Sequence, residues 1–237
     1  MNLKKALLLI LPLLLMQPAC RAGISPDTRS IKATLEQLAT TCKVPDYSVV
    51  IVRHDSILFE SDRREENNSK NYLIGSCSKS FTALAVLKLA DEGKIRLDAP
   101  VKDYLPWFEM KNPDFSGKVT IRHLLNQTSG FERQFGFFDS RNSDVEAYQQ
   151  QLSSYIRGIE THAAPGSVFL YSNLNYVLLG LVVRKASGES YADYLGHEIM
   201  PKLGMNHTLF TMDDAKEKNL IQPFHYMFWG IPVPSGL

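Results

Sequence analysis

Ile31, Leu35 and Leu38 recur at three- and four-residue intervals within residues 28–41, which lines them along one face of a helix. Val44-Pro45 closes that helix, because the residue before a proline avoids helical geometry. Residues 47–52 then run β-branched and almost wholly apolar, His54-Asp55-Ser56 carries turn chemistry, and residues 57–60 can return as a second strand. This stretch predicts a hairpin buried on both faces. Residues 62–70 mix charges of both signs around Asn67-Asn68 and read as a solvated loop. From Ser76 the apolar positions Phe81, Ala83, Leu84, Val86, Leu87 and Ala90 cover most of a helix circumference, which predicts an enclosed helix stopped by Gly93.

Loops dominate the next stretch. Pro100 and Pro106 punctuate residues 94–106, which are expected to run extended along the surface. Thr120 can cap a short helix carrying Ile121, Leu124 and Leu125, with Gly130 a little beyond its end. Phe131, Phe135, Phe137 and Phe138 precede a polar stretch through residues 149–151 that can form a helix; the aromatics fit a core or a substrate wall. Pro165-Gly166 makes a turn, residues 168–171 are short and apolar, and Asn173 or Asn175 can cap a helix that Gly188 ends. A last helix, residues 191–200, stops at Pro201. No internal repeat or low-complexity linker is visible.

With 237 residues, 44% of them hydrophobic, the chain is long enough for one sizeable core. Its 26 basic and 25 acidic residues give no electrostatic reason to expect a nucleic-acid partner. Residues 1–22 stand apart: Lys4-Lys5 followed by the short apolar run of residues 6–16 reads as a signal peptide. Cleavage after Ala22 and lipid attachment at Cys20 are the two alternatives, and the second offers the one route to a membrane. The expected location is extracytoplasmic, periplasmic or secreted or held as a lipoprotein. Cys42 and Cys77 do not make a disulfide framework, and Cys77 reads as a packing residue. The six histidines form no metal set: His197-Glu198 lacks a second histidine four positions on, so neither a metal nor a cofactor is expected.

The chemistry lies in Ser76-Cys77-Ser78-Lys79. On a helix, residues i and i+3 share a face, so the lysine amine can reach the serine hydroxyl. Serine is a poor nucleophile until a base takes its proton or a field stabilises the product anion. A lysine serves as that base near neutrality only when burial or another cation lowers its affinity for the proton, and a tyrosine faces the mirror problem. Lysine and tyrosine side by side can tune one another. Ser76 at a helix start also directs backbone N–H groups toward a developing oxyanion.

Residues 74–83 resemble the nucleophile motif of the serine β-lactamase and penicillin-binding protein superfamily. Leu124-Leu125-Asn126-Gln127-Thr128-Ser129-Gly130 is similar to the LLxxTSG segment of the class C β-lactamase-related branch. Tyr171-Ser172-Asn173 resembles its Y-x-N motif, and Pro201-Lys202-Leu203-Gly204-Met205 its PLGM turn. The resemblance spans about residues 30–236. It implies an α/β (α+β) fold, with an antiparallel sheet flanked by helices and a mostly helical lobe. It also implies Ser76 as the acylated nucleophile, Lys79 as a neighbouring proton acceptor, Tyr171 as a base and Asn173 as a binder of the substrate amide. The substrate would be a β-lactam, a D-Ala cell-wall peptide or a small ester.

One motif of the family, an H-x-G or K-T-G near the C-terminus, has no match here. The resemblance therefore implies that residues 28–237 form a hydrolase domain short of its last third, with an incomplete sheet and impaired turnover. The competing expectation is a catalytically silent fragment that binds peptidoglycan or a partner.

Overall fold

The computed structural model describes residues 27–63, 70–132, 145–221, 224–227 and 231–234, the last two stretches by their backbone. The proposed signal peptide, Phe135, Phe137, Phe138 and most of the polar loop lie outside the described residues. Two compact units result: one from the described residues up to Tyr72 together with those from Glu217 onward, the other from Leu73–Lys216.

In the first unit, α1 (Thr28–Thr41) starts where the Asp27 carboxylate accepts from the Arg29 N–H, satisfying one of the donors a helix start leaves unpaired. The hairpin β1 (Ser48–Arg53) and β2 (Ser56–Asp62) pairs antiparallel through His54-Asp55, with a register slip after Ile51. Burial on both faces does not hold. Phe59 and Ser61 are buried, whereas Val50, Val52 and Ile57 are 51%, 64% and 63% exposed. Side chains alternate across a strand, and among the described residues these two strands pair only with each other, so nothing in this sheet covers the outer row. A second hairpin, β3 (Phe224–Met227) with β4 (Ile231–Pro234), forms a separate two-stranded sheet.

The second unit is mostly helical: α2 (Ser78–Asp91), α3 (Pro113–Ser116), α4 (Ile121–Leu125), α5 (Val145–Gly158), α6 (Asn173–Ser187) and α7 (Tyr191–Tyr194). A short α8 (Met212–Glu217) follows. Helix α6 packs against both α2 and α4 and buries Leu174, Leu178 and Val182. Phe108 and Phe131 meet edge to face at 6.2 Å in the same core, which assigns Phe131 to packing. Each such side chain contributes about 1.5–3 kcal/mol by leaving water.

Helix α2 departs from the fully enclosed pattern. Thr82, Ala85, Val86 and Leu89 are buried, but Leu84 and Leu87 are 41% and 44% exposed. Cys77 is exposed rather than packed. Residues 94–106 also differ from the surface-running expectation, since Ile95, Ala99, Val101 and Leu105 are all buried. Burial is tolerated because the backbone finds partners: Val101 N donates to Val119 O, Ile121 N to Ala99 O and Arg122 N to Leu97 O. Residues 191–200 form one turn of α-helix and then a wider π turn, in which Met200 N reaches Leu195 O. At the far end of α2 from Ser76, Lys88 pairs with Glu92 and Glu198; the ammoniums of Lys202 and Lys88 hold the Glu198 carboxyl down to about 2. The described residues contain no helix long and apolar enough to cross a membrane.

Candidate active site

Ser76 sits in a tight 3-10 turn, Gly75–Cys77, that leads straight into α2. Gly75 opens it at φ 52°, and the Ser78 hydroxyl donates back to Gly75 O at 2.7 Å. The N–H groups of Cys77 and Ser78 are used inside this turn, donating to Ile74 O and Gly75 O. The expectation of several N–H groups aimed at an oxyanion therefore narrows. Lys79 follows one turn later on the same face.

Tyr171 and Asn173 arrive from an extended stretch that enters α6. Ser172 occupies the N-cap position with extended geometry, but its side chain makes no capping bond. Neither Asn173 nor Asn175 caps the helix either: both carboxamides are engaged elsewhere, Asn173 with Lys79 and Asn175 with Gln127 and Ser129. Gly188 does end α6, at φ 81°.

The four sequence-predicted residues meet in one hydrogen-bonded set. Ser76 Oγ and Tyr171 Oη are 2.7 Å apart. Lys79 Nζ donates to Ser76 Oγ at 3.1 Å and to Asn173 Oδ1 at 2.8 Å, and it lies 5.1 Å from the Tyr171 ring centroid. The hydrogen bond with Lys79 is the largest influence drawing the Tyr171 phenol below the usual tyrosine range; the bond with Ser76 adds to it, and burial opposes it. Tyr176, whose ring centroid lies 5.8 Å from the same ammonium, behaves in the opposite way. Burial pushes its phenol up, and its hydroxyl donates to Leu125 O at 3.1 Å. The two environments thus push the two phenols apart, Tyr171 down and Tyr176 up. A hydroxyl, a phenol drawn below its usual range, an ammonium and a carboxamide within one cluster can activate an oxygen nucleophile. Among the described residues no group of three or more His, Cys, Asp or Glu side chains could hold a metal ion.

The loop after α4 holds this arrangement from behind. Thr120 opens α4 with a reciprocal cap, its hydroxyl accepting from His123 N while Thr120 N donates to His123 Nδ1. Residues 127–131 then run alongside residues 162–172, with Gly166 N donating to Thr128 O and His162 N to Gly130 O. Gly130 adopts φ 88°, and a Cβ there would lie 2.2 Å from the Ala163 carbonyl oxygen. Gly130→Ala should therefore cost about 2–4 kcal/mol, from backbone strain and overpacking against a rigid partner. Urea denaturation checks this; a loss under 1 kcal/mol would contradict the close approach.

Composition and periodicity gave no sign of Gln127, Ser129, Asn175 or Tyr176 as site-supporting residues. For Gln127, a usable signal existed in the question of what satisfies the backbone donors of the extended stretch around Tyr171.

Residues 31–227 match the beta-lactamase family model, and the chain belongs to this family. Among its relatives, Protein flp of Staphylococcus aureus (strain NCTC 8325 / PS 47) is 33% identical over 184 residues, covering 74% of this chain and 37% of that protein. Penicillin-binding protein 4* of Bacillus subtilis (strain 168) is 35% identical over 151 residues, covering 62% of this chain and 32% of the relative. The octameric penicillin-binding protein homologue from Pyrococcus abyssi superimposes with a TM-score of 0.74 at 26% identity, over 88% of this chain and 50% of that one. A class C beta lactamase does so at 0.68 and 25%, over 91% and 60%. The mixed helix-and-strand architecture is thus that of the family. The chain spans 37% of the length of Protein flp and 50–60% of these two solved structures.

Proposed function

We propose that the protein is a serine hydrolase that works through an acyl-enzyme on Ser76, taking a β-lactam, a D-Ala cell-wall peptide or a small ester. The observation that carries this reading is the contact of Ser76 Oγ with Tyr171 Oη at 2.7 Å and Lys79 Nζ at 3.1 Å. In its phenolate form Tyr171 accepts the Ser76 proton as Oγ attacks the substrate carbonyl. The new C–O bond forms, the scissile C–N or C–O bond breaks, and the proton passes from Tyr171 to the leaving group. Water then repeats the sequence on the ester, with Tyr171 taking its proton, and Ser76 is released. Lys79 supplies positive charge that stabilises the phenolate, and it anchors Asn173 through Oδ1, which supports a role for that carboxamide in holding a substrate amide. The N–H of Ser76 itself is the donor we assign to the oxyanion.

The names of the relatives, penicillin-binding proteins and a class C beta-lactamase, support the β-lactam and cell-wall arms of this substrate class. We extend to the protein the expectation of export through residues 1–22, with Cys20 as its one candidate membrane attachment and no nucleic-acid partner.

Incubation with a fluorescent penicillin and, separately, with an activated phenyl ester should add the acyl mass to a single peptide containing Ser76. Folded protein that gains no mass from either probe would reject the hydrolase reading. Binding of cell-wall fragments without acylation would replace it with the silent-binder reading.

A further inference from the structure

We propose that Gln127 is a positioning residue that grips the chain on both sides of Tyr171 and so aims the phenol at Ser76; this rests on the acyl-enzyme reading above. Residues 168–171 form neither helix nor strand and Ser172 makes only a single isolated bridge, so no continuous ladder fixes the backbone that carries Tyr171. Gln127 substitutes for one. Its main-chain oxygen accepts from Leu170 N at 2.8 Å, and its side-chain Oε1 accepts from Ser172 N at 3.0 Å. The N–H groups of the residues immediately before and after Tyr171 are thus held by one residue.

Three features separate this clamp from ordinary packing. The first is cost. Gln127 is 5% exposed and adopts φ 60°, a left-handed conformation that residues other than glycine rarely take. A buried amide is expensive unless it is hydrogen-bonded, and an apolar side chain would fill the same space more cheaply.

The second is reinforcement. Asn175 Nδ2 donates to the same Oε1 at 2.6 Å, and Ser129 Oγ donates to Asn175 Oδ1 at 2.6 Å. Asn175 and Ser129 are buried as well. A backbone N–H can only donate, so the Gln127 atom facing Ser172 must be the oxygen; the Asn175 amide and the Ser129 hydroxyl then fall into order behind it. The third is reach. Asn175 lies on the first turn of α6, two residues after Asn173, so the same network ties the helix start to the Tyr171 stretch. A shift of about 1 Å in a positioned group can cost on the order of 100-fold in rate.

The test uses the full chain and two variants. Gln127→Met keeps the length of the side chain and removes its acceptor; Asn175→Ala removes the reinforcing bond. Two readouts are taken: the ultraviolet titration of the Tyr171 phenol, as the difference from Tyr171→Phe, and the acylation rate and half-saturation constant with an activated ester. In the wild type, one tyrosine should titrate below the ordinary range and disappear in Tyr171→Phe. In Gln127→Met that titration should move up, and the acylation rate constant should fall about 10- to 100-fold with half-saturation little changed. Asn175→Ala should shift both readouts in the same direction by a smaller amount, and it decides the matter if Gln127→Met does not fold. A folded Gln127→Met, or failing that a folded Asn175→Ala, whose titration and rate match the wild type would overturn the proposal. Wild-type protein that is never acylated, yet shows the low phenol and its upward shift in Gln127→Met, would reject the hydrolase reading and leave the clamp standing.

Discussion

Changing Ser76 to alanine should abolish the acyl adduct while leaving global stability within about 0.5 kcal/mol of the parent. Ser76 lies exposed in the turn before α2, so the change removes bonds with Tyr171 and Lys79 without stranding a deeply buried polar atom. Loss of a nucleophile acting in a coupled set lowers turnover on the order of 10⁶-fold, with the remainder coming from binding and oxyanion contacts. Two neighbours could confuse the result. Cys77 is exposed one residue away, and Ser78 carries a hydroxyl, although that hydroxyl is committed to Gly75 O. Intact-mass measurement followed by peptide mapping separates them. An adduct that persists on Ser76→Ala at wild-type rate, on either neighbour or elsewhere, would remove Ser76 from the mechanism. A thermal melt alongside confirms that the comparison is between folded proteins.

Much of the local structure is legible because it repeats. The spacing of Ile31 and Leu35 marks α1, whose helical bounds are Thr28–Thr41, and the β-branched run with its polar turn marks the first hairpin. The four residues around the candidate site could be grouped only through family motifs in their order along the chain. Nothing in periodicity brings Tyr171 to Ser76, 95 positions away. What the sequence concealed is of two kinds. Exposure depends on what covers a face, so Leu84, Leu87, Val50 and Val52 read as core although each is exposed. Long-range polar contacts leave no periodic trace. Asn173 and Asn175 looked like helix caps, because a cap needs only neighbours in sequence, whereas their actual partners, Lys79 and Gln127, lie on other elements. The buried run of residues 94–106 was hidden in the same way, since its prolines signal a loop but cannot say that its backbone bonds to residues 119–122.

Replacing Lys79 with methionine should raise the Tyr171 phenol and carry the pH dependence of acylation with it. Lys79 is the largest cause of the lowered phenol, acting through its hydrogen bond and then through its charge. The ammonium favours the ionised form of a neighbouring acid, so its loss favours the neutral phenol, and the burial that opposes ionisation is then offset only by the Ser76 hydrogen bond. In the proposed mechanism the base is the phenolate, so its population at neutral pH falls and the acidic limb of the acylation profile moves to higher pH. A general base contributes about 10²- to 10⁴-fold, and a loss of about 10³-fold at neutral pH is expected, recovering in part as the pH is raised. Lys79→Met also removes the donor to Asn173 Oδ1, which could act through substrate binding instead. The double variant with Tyr171→Phe distinguishes the two routes. If Lys79 works through the phenol, the double variant is no slower than Tyr171→Phe alone, because the group on which Lys79 acts is already gone. Additive losses with an unmoved pH profile would instead assign Lys79 to holding Asn173 and would take the base role away from Tyr171.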